Sequence, residues 1–169
     1  MIAAIHHKLR SSLENERVKI FLRYWLPVFI WVGVIFIGST DLMSAEHTSR
    51  FIAPFLHWLR PDISAEAIAQ VQFFVRKAAH VSEYAILAIL LLRALKSGRG
   101  KTIPPLVTLT LLLALSCAAL DEYHQSFVAS RTASPYDVMI DLCGAAFALA
   151  AYCLITQRSA PANGGPERI

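Results

Sequence analysis

Polar and apolar positions along this chain separate on the scale of whole helices rather than single turns. Ile103 to Leu120 (IPPLVTLTLLLALSCAAL) carries no charge, and Val138 to Ile155 carries only Asp141. Tyr24 to Thr40 (YWLPVFIWVGVIFIGST) is also uncharged and starts on Tyr24 and Trp25, residues suited to a membrane–water boundary. Eighteen residues of helix span about 27 Å, close to the roughly 30 Å hydrocarbon core of a bilayer. A fourth apolar run, Tyr84 to Leu92, is too short alone. It must extend back through Glu83 and His80, which places ionisable groups inside a crossing or at its mouth. The pattern predicts an all-α, polytopic membrane protein: a bundle of four transmembrane helices with crossings at about 24–40, 78–96, 103–120 and 137–156.

Between the first two crossings, FIAPFLHWLR reads as a helix lying at the interface. PDISAEAIAQVQFFVRKAAH then starts a further helix, capped by Asp62 or Ser64, with Glu66 in its first turn, that runs unbroken into the second crossing. The membrane domain covers residues 24–157. Residues 1–23 form a basic amphipathic segment with Ile5, Leu9, Leu13 and Ile20 at near-helical spacing, and residues 158–169 a disordered tail. The polar start does not fit a cleaved signal peptide.

Composition sharpens this. The 169 residues are 56% apolar and 17% charged, against roughly 45–50% and about 25% in soluble domains. The net charge of +4 lies in short clusters beside apolar runs, which fits an anionic bilayer surface and no nucleic acid. Of the 16 lysines and arginines, eleven share a side if both termini are cytoplasmic, which favours that orientation. Cys117, Cys143 and Cys153 all lie in apolar runs and read as packing residues.

The remaining polar residues converge. Lys77, His80 and Tyr84 fall within about 60° of one helix face, with Glu83 on its flank. Asp121 and Glu122 share a side with Gln125, and Asp137, Asp141 and Gly144 follow at i, i+4 and i+7. The second crossing starts, the third ends and the fourth starts on one side of the membrane. Arg131 and the Ser39 end of the first crossing lie there too. Charges at membrane depth are cheapest when paired in a bundle interior, so the expectation is a polar pocket at the outer leaflet. Plainer roles exist for each group: Ser134-Pro135-Tyr136-Asp137 matches a capping box, Arg76 and Lys77 can snorkel to headgroups, and Gly144 with Ala148 is a helix-packing pair.

The combined pattern K-x2-H-x3-Y, D-E-x2-Q, an Arg six residues on, then S-x2-D and a following Gly resembles the VanZ-like family of bacterial membrane proteins. It is carried by Lys77, His80, Tyr84, Asp121, Glu122, Gln125, Arg131, Ser134, Asp137 and Gly144. Asp141 stands where the family usually has Asn, and Ala148 where it often has a second Gly. The resemblance implies four crossings, a place in the bacterial inner membrane and a cell-envelope role; the founding member is associated with low-level teicoplanin resistance.

Three uses of such a pocket follow. As a binding site, Lys77, Tyr84, Gln125, Arg131, Asp137 and Asp141 would hold an anionic membrane lipid or lipid-linked cell-wall precursor. As a hydrolase or transferase, His80 would act as acid or base, oriented by Glu83 or Glu122, while Asp121, Glu122 or Asp141 would orient it or supply a second carboxylate. Ser39, Ser82, Ser134 and water are equivalent candidates for its nucleophile. Transport would need an oligomer to line a path. No cofactor is implied, and His80 lacks the spaced partner of a metal ligand.

Overall fold

A computed structural model of the chain describes residues 14–40, 45–97, 103–128 and 133–158. They form five helices and, among the described residues, no strand: α1 (Glu14–Gly38), α2 (Ala45–Leu59), α3 (Ala65–Lys96), α4 (Ile103–Gln125) and α5 (Pro135–Arg158). All but α2 are long and apolar enough to cross a membrane. The elements start later or earlier than hydropathy alone implies. α1 begins at Glu14, ahead of the expected boundary at residue 24, and α4 carries on through Asp121 to Gln125.

Local chemistry sets the ends. Ser64 accepts a hydrogen bond from the Ala67 amide at 3.2 Å and caps α3, with Glu66 in the first turn, and the helix then runs 32 residues without a break. Proline opens α5 at Pro135 and stands in the first turn of α4 at Pro104 and Pro105, where an amide hydrogen would lack a partner anyway. In α1, Phe21–Trp25 forms a widened turn in which the Leu26 amide reaches the Phe21 carbonyl. Pro27 follows directly. A proline there removes an amide donor and crowds the carbonyl four residues back, and a widened turn relieves both.

α3 is the central element and packs against every other helix, most extensively along α5. The interior is built from small and medium residues (Ala88, Ala94, Ala114, Ala118, Ala145, Leu87, Leu91, Leu149), while Phe29, Ile30, Phe74, Leu112, Phe147 and Ile155 face outward. Large residues outside and small residues inside is the packing of a membrane bundle, where close approach rather than hydrophobic burial draws helices together. Gly144 marks the tightest point. A Cβ there would lie 2.4 Å from the Val81 carbonyl oxygen, so α5 can touch the backbone of α3 only with hydrogen at this position.

α2 lies beside the first turns of α3, tied to it by a 2.6 Å hydrogen bond from Gln72 to Ser49. Phe51, Phe55, Trp58 and Leu59 form one exposed apolar stripe along it, as expected for a helix in the interfacial layer. The expected first-loop residues 41–44, the tail from 159 and the first 13 residues lie outside the described part.

Candidate functional site

One end of the bundle gathers the ionisable groups. α3 and α5 both enter from this end, so they run parallel and meet in successive rungs. Lys77 Nζ donates to Asp137 Oδ1. One turn deeper, His80 Nδ1 lies 3.0 Å from Asp141 Oδ1, and the next contact is Val81 on Gly144. With the carboxylate accepting, His80 carries its hydrogen on Nδ1 and keeps Nε2 as the nitrogen with a lone pair.

The ends of α1 and α4 close the other side. Ser39 donates to Asp121 Oδ2 at 2.8 Å, and Gln125 Nε2 donates to the same oxygen at 3.0 Å and to Ser39 Oγ at 3.3 Å. The Arg76 guanidinium bridges the halves, 3.4 Å from Gln125 Oε1 and 4.0 Å from Asp137 Oδ2. Tyr84 is fully buried. Its hydroxyl, with Asp121 Oδ1 and Arg76 Nε, has no hydrogen-bond partner among the described residues. Buried polar atoms are almost always paired, so these three orphans, with His124 Nδ1 as a fourth on the same stretch of α4 as Asp121, mark a place where a further polar group belongs.

The charges are layered. The Arg76 and Lys77 side chains are 29% and 21% exposed, whereas Asp137 is 3% and Asp141 1% exposed. Cations form the accessible rim and carboxylates the floor.

A family model described as VanZ/LLP1 matches residues 24–156, most of the chain. The chain belongs to the VanZ/LLP1 family. No curated protein and no solved structure matches it.

Within this VanZ/LLP1 multi-pass membrane protein, eight of the nine residues expected at the site lie at the polar end, and seven of them are joined by the contacts above or below: Lys77, His80, Asp121, Glu122, Gln125, Asp137 and Asp141. Tyr84 is buried deeper on the same helix, and Arg131 lies outside the described residues. The roles differ from expectation in three places. Glu122 does not orient His80; its Oε1 accepts from the Ser134 amide, taking the place that the capping box would give to Asp137. Ser134 Oγ accepts from the Tyr136 amide at 3.3 Å. That leaves Asp137 free of helix-end duty and available to Lys77. Glu83 does not orient His80 either. Its backbone carbonyl accepts from Trp31 Nε1 at 2.9 Å, and its carboxylate faces α1 near Gly38.

Two further residues sit in the network: Ser39, expected at this end as a candidate nucleophile and found donating to Asp121, and Arg76, expected only to snorkel to headgroups. Arg76 was visible in principle, because it lies four residues before His80 and shares its helix face. Among the described residues no cluster has the three or more ligands that a metal would need.

Proposed function

We propose that this chain holds the headgroup of an anionic envelope lipid or lipid-linked cell-wall precursor at its polar end, in the outer leaflet, with both termini cytoplasmic. The layering carries the reading. Arg76 and Lys77 are the accessible members of an otherwise buried cluster, so an anion arriving from the lipid meets guanidinium and ammonium first. Its phosphate or carboxylate would share Lys77 with Asp137. Its hydroxyls would reach the orphaned Tyr84 and Asp121 atoms. The bias of Lys and Arg toward the other end supports the orientation.

Native mass spectrometry of the purified protein tests this. Wild type should retain an anionic lipid. Lys77→Gln/Asp137→Asn, which removes the ammonium together with the carboxylate it pairs with, should lose it, as should Arg131→Ala. An adduct that persists in both variants, or none in wild type, overturns the proposal. If the ligand is a cell-wall precursor, overexpression should raise teicoplanin tolerance and the double variant should not.

A second reading, hydrolysis or group transfer on the same ligand, is favoured by the His80–Asp141 pair, in which a carboxylate orients an imidazole with Nε2 free to take a proton. His80→Gln would then keep the lipid and abolish turnover. Loss of both would count against it.

A further inference from the structure

The opposite end of the bundle carries a second concentration of charge, assembled on other terms. A cavity of about 300 Å³ opens there between α1, α3 and α5. Ile89 and Leu92 line it toward the middle of α3, and Arg93 and Lys96 line it near the end of that helix, with Tyr24 from α1 and Tyr152 from α5. The Arg23 and Arg93 guanidinium groups lie 5.6 and 5.3 Å from the centre of the same Tyr24 ring. Lys96 Nζ donates to the Tyr152 hydroxyl at 3.3 Å and sits 5.8 Å from its ring. Among the described residues, no carboxylate pairs with Arg23, Arg93 or Lys96.

Two cations lining an apolar cleft, with a third on the Tyr24 ring and no acid among the described residues to balance them, is an incomplete arrangement. Two guanidinium groups drawn to one tyrosine ring repel each other, and an anion between the side chains would turn that repulsion into attraction. The cleft leads from these cations onto aliphatic residues one turn deeper in α3, so the complementary molecule is charged at one end and hydrocarbon at the other. Clefts of this kind between transmembrane helices, basic at the mouth, suit anionic lipid headgroups.

We infer that the cleft between α1, α3 and α5 binds an anionic glycerophospholipid, its phosphate between Arg93 and Lys96 and an acyl chain along Ile89 and Leu92. The site is separate from the polar end and stands or falls without it. In the orientation proposed above it belongs to the cytoplasmic leaflet, so the protein would hold one lipid from each leaflet.

The test is titration of the detergent-solubilised full chain with dioleoylphosphatidylglycerol, read by native mass spectrometry as bound lipids and their apparent Kd. Arg93→Gln/Lys96→Gln should lose one bound lipid or weaken it by about tenfold or more. Tyr152→Phe, which leaves every cation in place, should weaken it about threefold. Lys77→Gln/Asp137→Asn should leave this lipid untouched, so failure at the polar end registers separately. Dioleoylphosphatidylcholine should not replace it, and millimolar inorganic phosphate should not displace it. Equal binding of phosphatidylcholine, unchanged binding in Arg93→Gln/Lys96→Gln, or displacement by phosphate alone would each overturn the assignment.

Discussion

The two ends of α3 hold their cations in opposite ways. At the start, Lys77 and Arg76 are partly buried and lean on Asp137 from α5. At the finish, Arg93 and Lys96 are exposed and rest on tyrosine faces, with no acid among the described residues. A cation among packed helices needs a carboxylate, because water is not there to solvate it. A cation at the rim keeps access to water and headgroups, and an aromatic face is enough to hold it. The first end is therefore stability as much as function, while the second is free to serve a ligand.

That contrast can be broken by mutation. The largest effect should come from Gly144→Ala, which drives a methyl into the Val81 backbone and separates the helices carrying Lys77, His80, Asp137 and Asp141. A loss of about 3 kcal/mol is expected, visible as a collapse of thermal stability in detergent. Gly33→Ala, where an added Cβ meets nothing within 4 Å, should be neutral or slightly stabilising. Next comes Asp137→Ala, which strands Lys77 and should cost ~2 kcal/mol, while Lys77→Met/Asp137→Leu should recover most of it in a double-mutant cycle. Ser39→Ala removes one of two donors to Asp121 Oδ2 and should cost about 1 kcal/mol by the same thermal measurement. Arg93→Gln/Lys96→Gln should sit at the small end, within about 0.5 kcal/mol of wild type. A large destabilisation there would erase the distinction between the ends.

Much of this was legible before any coordinates. Eighteen uncharged apolar residues have few alternatives to lipid, so the crossings stood out, as did the Ser64 start of α3 and the helix containing FIAPFLHWLR. Counting directions through the membrane was enough to bring the polar groups to one end. The start of α1 was read as a separate amphipathic segment, because Glu14, Glu16 and Lys19 form polar turns that hydropathy does not join to the apolar run after them. Pairing was beyond reach for a different reason. Glu83, Glu122 and Asp141 were all near enough in principle to orient His80. Which of them does so depends on how α3 and α5 are rotated against each other, and Gly144 resting on Val81 determines that rotation. Even Asp141, where the family usually has Asn, became interpretable only once it stood 3.0 Å from an imidazole.

The widened turn at Phe21–Trp25 has one more effect. An extra residue in a helical turn offsets everything before it by about 100° relative to everything after. Tyr24 lies within that offset, and it is the ring that Arg93 reaches from α3. Deleting a single residue from the turn would leave a smooth helix of the same apolar character, yet swing the whole leading section, with Arg17 and Arg23, around to a different azimuth. The irregularity acts as a fixed gear setting, aligning the chain's basic lead-in with a partner more than sixty positions further on.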